Sequence, residues 1–181
     1  MKNIVLVGMS GTGKTTIGME LSKILKLDFI DTDMLIEERL GISIEKIFNK
    51  YGEKYFRTIE SKIVAEIGNR EGLIISTGGG IILNKSNIIK LKEKGIVILL
   101  ESSIDNIVNN LKKSNIIRPL ISNENDIYKA VEKMYKTRKE LYHLYADYIV
   151  KVDNRSLNNI IYEILQIYDI INSWGNYCIL I

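Results

Sequence analysis

The chain has 181 residues, 46% hydrophobic and 26% charged, with 13 Gly, one Pro and one Cys, a make-up that is globular and excludes collagen-like, low-complexity and disordered classes. Its net charge of +3, from 25 basic and 22 acidic residues spread along the sequence, is too weak and diffuse to argue for nucleic acid or a membrane as partner. No stretch approaches the roughly 18 uninterrupted apolar residues of a membrane span, Cys178 has no internal disulfide partner, and the opening MKNIVLVGMSG lacks the apolar core and cleavage site of a leader peptide, so a cytoplasmic location is expected.

A short apolar run over 3–7 enters a glycine-rich turn, after which Ile17, Leu21, Ile24 and Leu25 recur at helical spacing: strand, loop, helix. FID at 29–31 predicts a second strand, followed by helices over about 34–49 and 52–69. GLIIS at 72–76 predicts a third strand, 85–94 a helix and IVILL at 96–100 a fourth strand. Helices over 103–112 and 124–145 precede a fifth strand, YIVKV at 148–152, and a last helix covers 156–171. Short apolar runs alternating with helices are strands buried on both faces. The expected fold is therefore α/β, a three-layer α/β/α sandwich around a five-stranded parallel sheet. One domain over 1–172 is expected, with SWGNYCILI at 173–181 as an apolar tail of unassigned role. Ligands of such sheets bind beyond the carboxyl ends of the strands, and every polar cluster below falls at one of those ends.

GMSGTGKT at 8–15 fits G-x-x-x-x-G-K-[ST] directly after a strand and directly before a helix, the context that a P-loop requires. Gly8, Gly11 and Gly13 let successive N–H groups turn inward around a phosphate, and the helix that starts near Lys14 adds its positive dipole end. Lys14 would reach the β- and γ-phosphates, and the Thr15 hydroxyl would bind Mg²⁺. A P-loop NTPase fold follows, but switches, motors and small-molecule kinases share it. The reaction must be sought in the other clusters.

DTD at 31–33 ends the second strand with two carboxylates, one suited to a metal and the other to a substrate hydroxyl; an acidic helix N-cap would look the same. In FRTIE at 56–60, Arg57 and Glu60 are i, i+3 neighbours on one helical face, either a surface ion pair or part of a site. Only six of the 25 basic residues are Arg, and four of them fall in these clusters: Arg57, Arg118 in RPL, Arg138 before LY and Arg155 in DNR. A planar, permanently charged fork is what gripping a carboxylate or phosphate needs, and Lys does not replace it there. STGGG at 76–80 sets three glycines in a row, where a tight turn would need one or two.

GMSGTGKTT, DTD, FRTIE, STGGG, RPL, R-x-x-LY and DNR, in this order from residue 8 to 155, resemble the shikimate kinase family. The resemblance implies phosphorylation of the 3-hydroxyl of shikimate by ATP with Mg²⁺. Under it Gly11, Thr12, Gly13, Lys14, Thr15 and Thr16 hold the phosphates, and Thr15 with Asp31, through water, holds the metal. Asp33 binds and positions the acceptor hydroxyls. Arg57 and Arg138 grip the substrate carboxylate, Glu60 fixes Arg57, and the ring lies against Gly78, Gly79 and Gly80. The segment 33–61 becomes the acceptor-binding region and 112–126 a lid, whose Arg118 folds over the transferring group and is kept extended by Pro119. Arg155, with Asn154, meets the adenine. Two departures bear on nucleotide selectivity: Lys112 and Lys113 stand where the family often starts its lid with Arg, and no Pro follows DNR. A monomer binding shikimate and ATP is expected. The rival readings are another kinase of this fold, acting on gluconate or a nucleoside monophosphate, and a nucleotide-binding protein without an acceptor. His143 is expected to be structural and Cys178 a small hydrophobe.

Overall fold

The computed structural model describes residues 1–113 and 126–177. Five parallel strands, β1 (Asn3–Val7), β2 (Asp28–Asp31), β3 (Leu73–Ser76), β4 (Gly95–Glu101) and β5 (Tyr148–Lys151), form one sheet in the order β2-β3-β1-β4-β5. Seven helices are present among the described residues: α1 (Lys14–Leu25), α2 (Thr32–Leu40), α3 (Ile44–Ile67), α4 (Lys85–Lys94), α5 (Ile104–Lys113), α6 (Ile127–Tyr145) and α7 (Leu157–Tyr177). A single 3₁₀ turn covers Ile81–Leu83.

The pleat of each strand sorts its side chains between two cores. Ile4 and Leu6 of β1 join Ile98, Leu100 and Val150 against Ile17 and Leu21 of α1 and Ile160 and Ile164 of α7. Val5 and Val7, turned the other way, join Ile75, Val97 and Leu99 against Ile36, Ile63, Ile88, Ile107 and Val131 of the five remaining helices. Helices cover both faces, which is the expected three-layer sandwich and explains why the strands read as unbroken apolar runs. Truncating a side chain such as Leu6 or Ile98, neither of which has any exposed surface, to Ala would cost about 2–5 kcal/mol.

The helix expected over 34–49 is two helices. Gly41 ends α2 with a left-handed φ of 65°, and Ser43 caps α3 by accepting from the Lys46 N–H. The periodicity of apolar residues runs through this break and hides it; the Gly-x-Ser sequence is the signal that overrides it. The second expected junction, near 50–52, is the non-helical Gly52 inside α3. α6 begins at Ile127, capped by Asp126, and α7 continues to Tyr177, into the stretch expected as a tail. Residues 114–125 of the segment expected as a lid, with Arg118, and Cys178 lie outside the described residues.

β1 lies between β3 and β4, and successive crossovers go to one side of it before β3 and to the other from β4 onward. The loops that leave β1 and β3 consequently emerge side by side at the carboxyl edge, the switch point of the sheet.

Candidate active site

The loop after β1 is shaped by its glycines. Gly8 and Gly11 have φ of 146° and 90°, and a Cβ on Gly8 would stand 2.6 Å from the Leu100 carbonyl oxygen. Gly13 opens α1 without a side-chain cap, so the first helical N–H groups face the loop's concavity. Lys14 is almost buried and folds back over this loop, donating to the Gly8 and Met9 carbonyls at 2.9 Å each. Thr12 donates to Met9 O at 2.9 Å, and Asn110 of α5 donates to Gly11 O at 2.9 Å, which fixes the rim from outside. Thr15 Oγ1 donates to Asp31 Oδ2 at 2.8 Å. The other carboxylate oxygen of Asp31 accepts from the N–H groups of Asp33 and Met34 and caps α2. Asp31 is thus the helix N-cap that DTD also allowed, with its second oxygen turned to Thr15.

Arg57 and Arg138 form the opposite end. Arg57, on α3, donates to Glu60 Oε1 and Oε2 at 3.0 and 2.9 Å, and to Glu53 Oε1 from Nε and Nη2 at 3.2 and 3.1 Å. Glu60 is 1% exposed, so this is a buried anchor rather than the surface pair the spacing also allowed. Burial pushes the Glu60 carboxyl up from 4.5 to about 7, against the pull of Arg57 and with the help of Asp33. Burial works against the charge of Arg57 as well, but Glu60 and Glu53 outweigh it and hold Arg57 above its ordinary value. Arg138, on α6, is 6% exposed and donates to the Gly79 carbonyl at 3.2 Å; burial draws it below its ordinary value.

The three glycines have a sharper reason than a turn. None of them has a positive φ, so backbone freedom does not require glycine here. Room does. A Cβ on Gly78 would stand 2.5 Å from Asp33 Oδ1, one on Gly79 would stand 3.1 Å from the Ser10 N and Oγ, and one on Gly80 would stand 2.6 Å from the Arg57 Cζ. The neighbours that exclude side chains are therefore the site's own groups, one from each adjoining segment. The turn is pinned by Thr32, whose Oγ1 accepts from the Gly78 N–H at 2.9 Å.

All of this surrounds one cavity of about 840 Å³. Residues 10–16, Asp31, Asp33, Arg57, Glu60, Gly78 to Gly80, Arg138, Asn154 and Arg155 all line it, so every described candidate of the sequence reading is brought together there. Arg155 is committed along its edge: it donates to the Lys151 and Asn159 carbonyls at 3.0 and 3.1 Å and pairs with Glu163 at 2.5 Å. Lys112 and Lys113 end α5 exposed, and Asn106 and Asn110 of the same helix line the cavity instead. His143 is outside it, on Glu101 at 2.8 Å. Glu53 was not singled out from the sequence, and Thr32 and Tyr142 were given no role, although they stand within the DTD and R-x-x-LY motifs. Glu53 was available from its i−4 spacing to Arg57. Tyr142, one turn beyond Arg138 in the R-x-x-LY motif, donates its hydroxyl to Gly79 O at 2.5 Å, a tertiary contact that the motif does not specify.

A family model described as shikimate kinase matches residues 10–169. A shikimate kinase of Caldanaerobacter subterraneus subsp. tengcongensis is 39% identical over 168 residues, which are 93% of this chain and 96% of the relative. Among solved structures, a shikimate kinase from Acinetobacter baumannii in complex with shikimate has a TM-score of 0.86 at 35% identity, with 93% of each chain covered. A gluconokinase from Sinorhizobium meliloti 1021 has a TM-score of 0.57 at 16% identity over 90% of this chain and 88% of its own, a likeness of fold alone.

Proposed function

The chain belongs to the shikimate kinase family, and from that premise we propose that it transfers the γ-phosphoryl group of ATP to the 3-hydroxyl of shikimate inside this one cavity. The observation that carries the assignment of roles is the shared cavity: a phosphate loop and a pair of arginines suited to an anion open onto the same space. Phosphoryl transfer asks a protein for positioning and for charge at the transferring group, with little covalent chemistry.

Gly11, Thr12, Gly13, Thr15 and Thr16 wrap the phosphates, and Lys14 exchanges the Gly8 and Met9 carbonyls for phosphate oxygens. The Thr15 hydroxyl and the Asp31 carboxylate are hard oxygen donors 2.8 Å apart at the start of α1, a set that fits Mg²⁺ completed by phosphate and water. When bound, the ion would neutralise charge that develops on the phosphates. Asp33 takes the acceptor hydroxyl, aligns it and receives its proton. Arg57 and Arg138 hold the acceptor carboxylate, with Glu60 and Glu53 fixing Arg57. Gly78 to Gly80 offer backbone to the ring. Arg155 keeps its face for the adenine while its edge is bonded, beside Asn154. Arg118 keeps its expected role over the transferring phosphoryl group. One kinase domain over 1–172, acting as a monomer in the cytoplasm with no nucleic acid or membrane partner, completes the reading; no described helix is long and apolar enough to cross a membrane.

The test is ADP release by the protein with ATP and Mg²⁺, alone and with shikimate, gluconate or nucleoside monophosphates, the product position being read by NMR. Stimulation by shikimate alone is expected, and equal rates with and without it would sink the assignment. Arg57→Ala is expected to weaken shikimate binding by about 2–4 kcal/mol, the order for truncating one partner of a desolvated charge pair. ATP affinity should stay within about twofold, because no P-loop atom bonds to Arg57.

A further inference from the structure

One wall of the cavity is assigned neither to the phosphates nor to the acceptor. It combines the amides of Asn106 and Asn110, one turn apart on α5, with Asn154, Arg155 and the apolar Val152 and Ile160. Asp153 of the DNR segment ties its two stretches of chain together. Its Oδ1 accepts from the Ser102 hydroxyl at 2.7 Å and from the Ser103 hydroxyl at 3.3 Å, and its Oδ2 accepts from the Ser103 N–H at 2.7 Å. A carboxylate only accepts, so the one hydrogen of the buried Ser102 hydroxyl is spent on Asp153. Towards Asn106, Ser102 Oγ is left as an acceptor, and it takes Nδ2 at 2.8 Å. The network therefore decides which way round the Asn106 amide stands. Asn110 is oriented in the same manner by the Gly11 carbonyl, which has no hydrogen to give, but its bond serves to tie α5 to the phosphate loop. Asn106 is partly exposed, and it keeps one amide N–H and an Oδ1 that accepts nothing from the described residues.

We propose that Asn106 is a specificity-determining residue that selects adenine over 6-oxopurines, and that Asp153, through Ser102, is the positioning residue that sets its amide for this. The inference rests on the assignment of the base to Asn154 and Arg155. A flat, uncharged ring suits a wall of amides and aliphatic side chains. An amide that offers one oxygen and one N–H side by side matches adenine, which presents its N6 amino group as donor and N7 as acceptor. Guanine and hypoxanthine present O6 and N7, two acceptors, so Oδ1 would face an oxygen and a hydrogen bond would be lost. Turned round, the same side chain would aim its NH₂ at position 6 and favour the oxopurine. The direction of the hydrogen bond from Ser102 to Asp153 thus sets the choice of base.

The experiment measures by calorimetry the Kd of the Mg²⁺ complexes of ADP and of IDP, which differs from ADP only in its hypoxanthine base. The proteins are the full chain, Asn106→Ala, Asp153→Asn and the double variant. The wild type is expected to bind ADP about 10–100-fold more tightly than IDP, the order of one bidentate base contact. Asn106→Ala is expected to cut that preference to less than about threefold, chiefly by weakening ADP. Asp153→Asn can offer its own NH₂ to Ser102 Oγ and so free the hydroxyl to turn towards Asn106. It is expected to lower the preference too, and to have no further effect on it in the Asn106→Ala background. A wild-type preference below about threefold, or one that survives Asn106→Ala because ADP and IDP weaken equally, would overturn the proposal. If Asp153→Asn keeps the full preference, its positioning role falls. If Arg155→Met leaves ADP binding unchanged, the base lies elsewhere, and the inference falls together with that assignment. No acceptor is present, so the outcome is independent of whether shikimate is the substrate. Thermal unfolding without nucleotide identifies a folding defect, and should Asp153→Asn show one, Asn106→Ala on its half-exposed helix decides.

Discussion

The phosphate end of the cavity is made of backbone, whereas the acceptor end is made of charged side chains held by other side chains. At the first, the loop over 8–13 closes on itself, and Lys14 and Thr12 bond to its own carbonyls. At the second, Arg57 is bracketed by two glutamates, and Arg138 bonds to a carbonyl from another loop. A backbone cradle tolerates most side-chain changes and is vulnerable at its glycines and its one cation. An ion-pair pocket fails wherever one partner is lost, because the other is then left buried and uncompensated. The two ends should accordingly separate under mutation, and the largest expected effect tests that directly. Lys14→Met is expected to lower kcat by about 10³-fold, the order for removing a preorganised charge from a developing one, with shikimate affinity kept within about twofold. Parallel loss of both would mean that the ends form one cooperative unit.

The glycines sharpen the comparison because each abuts a different group. Gly80→Ala pushes on the Arg57 guanidinium, which must leave its glutamates, and is expected to raise the shikimate KM by about 10–100-fold with ATP unaffected. Gly79→Ala presses on Ser10 N at 3.1 Å, a backbone atom that yields only a few tenths of an ångström, and is expected to weaken ATP by roughly 1 kcal/mol. Steady-state KM values for both substrates decide. A loss confined to shikimate in both variants would mean that the turn belongs wholly to the acceptor end.

The same contrast explains what could be read from the sequence. The cradle is contiguous in the chain, so its spacing alone identified Gly8 to Thr15 and the surrounding strand, loop and helix. The layers were legible for the same reason, since burial on both faces leaves apolar runs along a strand. The acceptor end is assembled from α2, α3, the loop after β3 and α6, and its principal members were found through the Arg-poor composition and the family resemblance. Its supports escaped because they depend on tertiary distance: Thr32 under Gly78, Tyr142 on Gly79, and the crowding of each glycine by a protein group. The break at Gly41 was hidden by apolar periodicity that continues across it.

Glu60 gives the acceptor end a pH dependence that the cradle lacks a counterpart for among the shifted groups. The folded state binds the Glu60 proton more tightly than the unfolded chain does, so this group's contribution to stability is fully present below pH 4.5 and is lost as pH rises through about 7. Over the whole shift, at 1.36 kcal/mol per unit, the loss is on the order of 3–4 kcal/mol. Denaturant unfolding of the wild type and of Glu60→Gln at a series of pH values should show stability curves that converge or diverge across that window and run parallel outside it. Parallel curves throughout would mean that Arg57 keeps the carboxylate ionised despite its burial, and the acceptor anchor would then be a fixed ion pair.

The smallest effect is expected at His143, which follows Tyr142 in sequence but is turned about 100° away around α6. Tyr142 points into the core at Gly79, while His143 reaches Glu101 at the end of β4 at 2.8 Å, with 37% of its side chain exposed. A Gln at this position can still donate to Glu101, and an exposed pair of this kind contributes about 0–1 kcal/mol. His143→Gln is therefore expected to leave both KM values and kcat within about twofold and to shift the unfolding free energy by less than about 0.5 kcal/mol. Because neither end of the cavity touches this pair, a fall of more than about tenfold in kcat would require a path from the end of β4 to the reacting groups through α6. The division of the site into a cradle and an ion-pair pocket would then be incomplete, and α6 would have to be treated as a third component that carries Arg138 and Tyr142 on one face and senses Glu101 on the next.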